Sequence, residues 1–211
     1  MQNVQLLIHG RSVDASNQAT FERISPIDGS VASKAAAATL EDVDRAIESA
    51  QQAFKVWSKL SPTERRLRLL KAADLMDQKT EQFIQTGMQE TGSTATWYGF
   101  NVHLAANMLR EAAAMTTQID GSLIPSDVPG NLAMGVRVPC GVIVGIAPWN
   151  APVILATRAL AMPLACGNTV VLKASEACPA THRLIGEVLH EAGLGEGVVN
   201  VITHAAEDAP Q

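Results

Sequence analysis

The chain is poor in cysteine and in positive charge, and each shortage removes a class of protein. Its three cysteines form no C-x-x-C pair, so the sequence predicts neither a disulfide framework nor a zinc site. Lysine and arginine number 16 against 21 acids, and the formal net charge of -5 argues against a nucleic-acid or anionic-membrane partner. The arginines at positions 65, 66 and 68 lie in a helical pattern with acidic neighbours, and we interpret them as a solvated helix face.

Long apolar runs and ligand-like histidine clusters are also missing. Residues 1–13 have neither a basic start nor a long apolar core, so we expect no export. The nearest approach to a membrane span is residues 142–147, far short of the roughly 20 apolar residues required. These features predict a cytoplasmic protein. We assign structural or surface roles to all five histidines and expect no metal site: His9, His103, His182, His190 and His204.

The first part of the chain is predicted to be mostly helical. Its 211 residues, 47% of them hydrophobic, are enough for one domain with a sizeable core. Residues 4–34 are typical of short strands around a turn at 26–29. Capping residues and helical spacing then predict helices from Thr39 to about Trp57, from Ser61 onward, through Phe83 to about Gly92, and from about Thr94 to Gln118.

Strands and helices alternate in the second part. Two β-rich runs over residues 136–147 are followed by a helix at 152–164, a strand at 169–173, a helix at 179–192 and a strand at 198–202. Continuous apolar strands separated by helices indicate an α/β fold, with a parallel sheet covered on both faces. Ligands of such sheets bind beyond the carboxyl ends of the strands.

Polar side chains stand at two of these strand ends. Asn150 can donate an N–H to a developing oxyanion, but an asparagine before a helix is more often an N-cap. Lys173 and Glu176 can bond ribose hydroxyls, and a nearby acid favours a free 2′-OH over a 2′-phosphate. A Lys/Glu pair after a strand is more often an ordinary surface ion pair. Spacing alone leaves these alternatives open.

Two longer segments carry a family resemblance. Residues 141–150, GVIVGIAPWN, and residues 163–176, PLACGNTVVLKASE, closely resemble the cofactor-domain signature of the aldehyde dehydrogenase family in wording, order and spacing. The resemblance extends over essentially the whole chain, upstream through Glu90-Thr91-Gly92 and downstream through residues 192–201. It implies a Rossmann-like parallel sheet with flanking helices, incomplete here, preceded by an N-terminal β/helical segment.

The resemblance also implies site roles. Asn150 is then the oxyanion-stabilising residue, and Lys173, Ser175 and Glu176 form the part of the site that holds the adenosine ribose of NAD. The motif's usual proline after the lysine is Ala174 here, a mild departure. Four residues would pass alongside the nicotinamide half through their backbone: Ile146, Ala147, Pro148 and Trp149.

The family's nucleophile is not predicted within the chain. By the resemblance, a cysteine thiolate forms a hemithioacetal, hydride passes to NAD, and a glutamate activates the water that releases the acid. We expect those parts to lie beyond Gln211, so residues 1–211 form a single incomplete NAD-binding domain without the catalytic domain and inactive alone. Cys140, Cys166 and Cys178 are interpreted as small buried or half-buried residues, and residues 207–211 as a solvated tail.

Substrate residues follow from the family's channel helices. The pattern is most similar to family members that oxidise aromatic aldehydes, and full-length members are homo-oligomers. Arg158 can bond a ring substituent, or it can be a buried ion pair or a solvent-facing arginine. Two other functions stay open, an acyl-CoA or acyl-phosphate reductase fragment and a non-catalytic binding or assembly module. The other residues nominated for the aldehyde channel are Trp97, Tyr98 and Asn101.

Overall fold

The computed structural model describes residues 1–206, and the predicted solvated tail at 207–211 lies outside the described residues. The fold is α/β, as the sequence predicts. Its elements, in chain order, are β1 (Gln2–Val4), β2 (Leu6–Ile8), β3 (Arg11–Val13), β4 (Thr20–Ile24), β5 (Val31–Ala36), α1 (Leu40–Trp57), α2 (Pro62–Gln78), α3 (Thr80–Thr91), α4 (Ala95–Met115), β6 (Ser122–Ile124), β7 (Ala133–Gly135), β8 (Val142–Ile146), α5 (Pro152–Ala165), β9 (Thr169–Lys173), α6 (Pro179–Glu191) and β10 (Val199–Ile202).

The central sheet has five strands in the order β3-β2-β10-β9-β8. Strands β8, β9 and β10 are parallel as predicted, and β2 adds antiparallel pairing with β10 and with β3, so the sheet as a whole is mixed. The N-terminal hairpin therefore covers the outer edge of β10, where Leu7 faces Val201 across the ladder. Covering that edge satisfies backbone groups that would otherwise be unpaired.

Helices cover the two faces of this sheet. Helix α1 packs on one face, where Ala46 and Ala50 meet Val171 and Ile202 in a small core. Helices α5 and α6 pack on the other face, and α2 and α4 pack outside them to form the larger core. Within residues 1–206, no helix is both long and apolar enough to cross a membrane.

The predicted helix starts are confirmed in detail. Thr39 and Asp42 form a capping box at α1, and Ser61 and Glu64 form another at α2. Each box satisfies backbone N–H groups that the first helical turn leaves unpaired. Helix α3 ends at Gly92 in the left-handed conformation, with φ 72°. Helix α4 ends at Met115, three residues before its predicted end.

A separate small sheet holds the N-terminal segment. Strand β5 pairs in parallel with β1 and antiparallel with β4. The predicted turn at residues 26–29 connects β4 to β5, and it is closed by main-chain hydrogen bonds from Ser25 to Ser30 and from Gly29 to Ser25.

Two local predictions are wrong. The first β-rich run, at residues 136–138, is not a strand. The chain instead forms an antiparallel β6–β7 ribbon, for which the sequence pattern gives no prediction, with Leu123 opposite Met134. Arg65 is not on a solvated face either, since only 8% of the residue is exposed. Its Nε donates to the Ala165 carbonyl at 3.0 Å, which satisfies a carbonyl left unpaired at the C-terminal end of α5.

Candidate functional site

The three parallel strands end level with one another. Lys173 is the register partner of both Ile146 and Ile202. Main-chain hydrogen bonds continue just past these ends, from Ala147 N–H to the Lys173 carbonyl at 3.2 Å and from Ala174 N–H to the Ile202 carbonyl at 2.9 Å. The segments after β8 and β9 therefore leave the sheet at one edge, beside an open cleft of about 950 Å³ that these strand ends help to line.

Asn150 is exposed in the bend between β8 and α5. The interpretation of Asn150 as an N-cap is wrong, because the N-cap of α5 is Ala151. Among residues 1–206, the Asn150 side chain has no hydrogen-bond partner, while its main-chain carbonyl accepts a bond from Trp97 Nε1 at 3.3 Å. The backbone is thus held while the amide N–H groups remain open to a ligand.

Lys173 and Glu176 face each other at the end of β9. The Lys173 Nζ lies 3.8 Å from Glu176 Oε2, and the two side chains are 25% and 40% exposed. The ion pair that the surface interpretation requires is therefore present, and both side chains remain partly exposed, with Lys173 lining the cleft. Ser175 is buried, and its hydroxyl accepts from the Ala177 N–H at 3.2 Å and donates weakly to Glu176 Oε2 at 3.5 Å.

The segment predicted to pass alongside the nicotinamide, residues 146–149, has one buried and three exposed residues. Ala147 is buried, whereas Ile146, Pro148 and Trp149 are exposed, Trp149 by 58%. The nominated substrate residues divide in the same way. Trp97 and Arg158 are exposed, and within residues 1–206 Arg158 has no ion pair, which excludes the buried-pair interpretation.

Two nominated substrate residues lie inside the core. Tyr98 is fully buried with its hydroxyl 3.1 Å from Thr91 Oγ1, and burial raises its pKa to about 12. Asn101 is also fully buried and donates to the Trp97 carbonyl at 2.9 Å. Neither side chain reaches solvent here, and their assignment to the channel stays a prediction.

His182, for which the sequence predicts only a structural or surface role, contacts both segments that leave this edge. It is fully buried in the first turn of α6, where Nδ1 accepts from the Ser175 N–H at 3.0 Å and Nε2 lies 3.2 Å from the Pro152 carbonyl oxygen. Burial lowers the pKa of His182 to about 4, so the ring is neutral at pH 7. Its place in the first turn after a strand end was the signal available in the sequence.

Glu90 anchors the helix that carries His182. Its buried carboxylate accepts from the Ala180 N–H at 2.8 Å, the Thr181 N–H at 2.9 Å, and the hydroxyls of Thr181 and Ser33 at 2.8 and 2.9 Å. Desolvation by burial raises the pKa of Glu90 in spite of these four donors. A carboxylate at a helix N-terminus is favourably placed, so Glu90 holds the start of α6 against β5.

The cysteines do not form a nucleophile at this edge. Cys178 Sγ lies 3.7 Å from His182 Nε2, but both ring nitrogens face backbone partners and burial raises the thiol pKa well above its usual value. A thiol of this kind is inert. Cys166 is half-buried as expected, whereas Cys140 is exposed, so its predicted burial is wrong.

Comparison with known proteins identifies a matching family. Residues 13–211 match the model of the aldehyde dehydrogenase family. The chain is 64% identical to the vanillin dehydrogenase of Pseudomonas fluorescens over 211 residues, which is all of this chain and 44% of that protein. The chain therefore spans less than half the length of this curated relative.

Two crystal structures share the fold. A salicylaldehyde dehydrogenase from Pseudomonas putida G7, complexed with salicylaldehyde, superposes with a TM-score of 0.97 at 46% identity, covering 100% of this chain and 43% of that one. PnpE in complex with nicotinamide adenine dinucleotide superposes with a TM-score of 0.93 at 39% identity, covering 98% and 42%.

Proposed function

The chain belongs to the aldehyde dehydrogenase family, and on that premise we propose that it forms the NAD-binding, N-terminal part of an enzyme that oxidises aromatic aldehydes to carboxylic acids. The observation that carries the proposal is the unengaged amide of Asn150 at the same sheet edge as the Lys173–Glu176 pair. The aromatic substrate class is supported by the identity with vanillin dehydrogenase and by the likeness to a structure holding salicylaldehyde.

The strand-end residues suit the adenosine ribose of NAD. The Lys173 ammonium, which lines the cleft, and the Glu176 carboxylate 3.8 Å from it are both partly exposed and offer a donor and an acceptor to two neighbouring hydroxyls. The acid also disfavours a 2′-phosphate, so NAD is preferred over NADP. NAD, when bound, supplies the hydride acceptor for the oxidation. Exposed Ile146, Pro148 and Trp149 offer main-chain groups and apolar surface along the same edge.

Asn150 is proposed to stabilise the oxyanion. A cysteine thiolate from a segment outside this sequence adds to the aldehyde carbon, and the carbonyl electron pair moves onto oxygen. An N–H donor fixed at that oxygen lowers the barrier because it needs no reorganisation during the reaction. The bond from Trp97 to the Asn150 carbonyl holds the donor in place. We propose that residues 1–211 belong to a single NAD-binding domain and that another domain supplies the nucleophile.

Trp97 and Arg158 are proposed to contact the aromatic ring of the substrate. Trp97 is 39% exposed, stacks on Phe100 with ring centroids 5.7 Å apart, and adjoins Asn150 through its indole N–H. An indole face pairs well with an aromatic substrate, and a guanidinium can bond a ring hydroxyl.

A homo-oligomer is part of the proposal. The β6–β7 ribbon exposes Leu123, Ile124 and Met134, each by more than half of its surface. Apolar side chains on an open ribbon are suited to covering by another subunit.

The ribose assignment is tested in a complete enzyme, made by joining this chain to the C-terminal part of the Pseudomonas fluorescens vanillin dehydrogenase. We expect vanillin oxidation with NAD, a rise of about tenfold in the KM for NAD in Glu176→Gln, and a smaller preference over NADP. The matched control Glu191→Gln changes an exposed acid at the far end of α6 and should have no effect. Unchanged cofactor kinetics in Glu176→Gln would refute the ribose role.

A further inference from the structure

We propose that His182 is a positioning residue that sets the spacing between the segment carrying Asn150 and the segment carrying Lys173 and Glu176. Its Nδ1 lies 3.0 Å from the Ser175 nitrogen, and its Nε2 lies 3.2 Å from the Pro152 oxygen. Ser175 is two residues after Lys173, and Pro152 is two residues after Asn150. This inference rests on the proposed function, because it assigns a purpose to the spacing of the same site.

The backbone partners determine which ring nitrogen carries the proton. A main-chain N–H can only donate, so Nδ1 must be the unprotonated acceptor, and the proton is on Nε2, where it is donated to the Pro152 carbonyl. The charged form would carry a second proton on Nδ1, facing the Ser175 N–H. A neutral ring therefore joins the two segments through both of its nitrogens, and the rigid imidazole sets the distance between them.

The connection is not duplicated by another side chain. Among residues 1–206, no other side-chain hydrogen bond joins the segment at 147–152 to the segment at 174–178. Glu90 fixes the start of α6 through the Ala180 and Thr181 N–H groups, so His182 reaches the two segments from a held helix. A buried group with both partners satisfied is costly to displace, which makes it a precise spacer.

Two conservative variants separate the two contacts. In His182→Asn, the amide oxygen can take the place of Nδ1 and keep the bond from Ser175, but the side chain is too short to reach Pro152. In His182→Gln, the amide nitrogen can take the place of Nε2 and keep the bond to Pro152, but the Ser175 N–H loses its acceptor. His190→Gln is the matched control, since His190 is exposed on the same helix.

The experiment titrates the complete enzyme described above with ADP-ribose by calorimetry and follows backbone amide exchange by mass spectrometry. We expect the wild-type enzyme to bind. His182→Asn should bind within about twofold of wild type with the Ser175 amide still protected. His182→Gln should bind about tenfold more weakly with faster exchange at Ser175, as expected for the loss of one buried hydrogen bond. His190→Gln should match wild type in both measurements.

Equal amide exchange at Ser175 in the Asn and Gln variants would show that Nδ1 does not hold this segment and would overturn the positioning role, and so would unchanged binding in His182→Ala. If His182→Ala does not fold, the comparison between Asn and Gln still decides. A complete wild-type enzyme that does not bind ADP-ribose would overturn the proposed ribose site and the positioning role together. If the wild type binds ADP-ribose and the His182 variants bind it equally well, the positioning role alone is overturned.

Discussion

Acidification should destabilise the fold through His182 in particular. The ordinary pKa of a histidine is 6.5, and burial lowers that of His182 to about 4. Between these values the unfolded chain takes up a proton that the folded chain cannot accept. The contribution of His182 is therefore complete above pH 6.5 and is lost as the pH falls toward 4. At about 1.4 kcal/mol per pH unit, the full loss amounts to about 3 kcal/mol.

Other groups also titrate in this range, so the effect must be isolated by subtraction. Lys173 lowers the pKa of His182 further, Glu176 and the Pro152 carbonyl raise it, and the Cys178 thiol adjoins the ring. The free energy of unfolding is measured by urea titration between pH 7.5 and 4.5, at micromolar protein concentration, for wild type and His182→Gln. The wild type should lose about 2–3 kcal/mol more than the variant, which has no titrating group at this position. Parallel curves would show that His182 is not buried in the neutral form.

Three further outcomes follow from the structure. The chain alone, given NAD and vanillin or benzaldehyde, should produce no NADH above blank, because the mechanism needs a covalent nucleophile. Steady turnover that is abolished by mutating Cys140 would contradict this prediction. The chain alone should be poorly soluble, because Val144, Ile146 and the apolar side chains of the β6–β7 ribbon are exposed, whereas β2 covers the edge of β10. Leu123→Lys should improve solubility, and a sharp wild-type monomer peak would argue against this reasoning. Glu90→Gln should lower the free energy of unfolding by about 2–3 kcal/mol, because it replaces one carboxylate oxygen with an NH2 group that faces N–H and hydroxyl donors. The control Glu81→Gln, at an exposed position, should change the free energy of unfolding by less than about 0.5 kcal/mol. Equal melting temperatures for the two variants would exclude the anchoring role.

Local signals in the sequence predicted much of the fold. Capping residues such as Thr39 and Ser61 act within one helical turn, so their partners are visible in the sequence. Pairings between distant segments were not visible. The contact of β2 with β10 joins residues almost 200 positions apart, and the burial of Arg65 depends on a carbonyl 100 residues away. Such partners are chosen by packing rather than by local propensity.

The candidate site divides in the same way. The residues that can face a ligand, Asn150, Lys173 and Glu176, were found because they stand at strand ends. The residues that hold them were not found, because the roles of His182 and Glu90 depend on backbone groups from other elements. The position of His182 after a strand end is visible in the sequence, but the backbone groups that His182 and Glu90 bind come from other elements and are not.

The role of Asn150 as oxyanion donor is tested most directly by Asn150→Asp in the complete enzyme. The substitution replaces an N–H donor with a negative charge facing the developing oxyanion. Turnover should therefore fall by roughly 10²–10³ or more, equivalent to about 3–4 kcal/mol in the transition state. The melting temperature should not change, since Ala151 rather than Asn150 is the N-cap of α5. The matched variant Asn131→Asp, at an exposed position next to the β6–β7 ribbon, should keep full activity. A fully active Asn150→Asp enzyme would contradict the assignment.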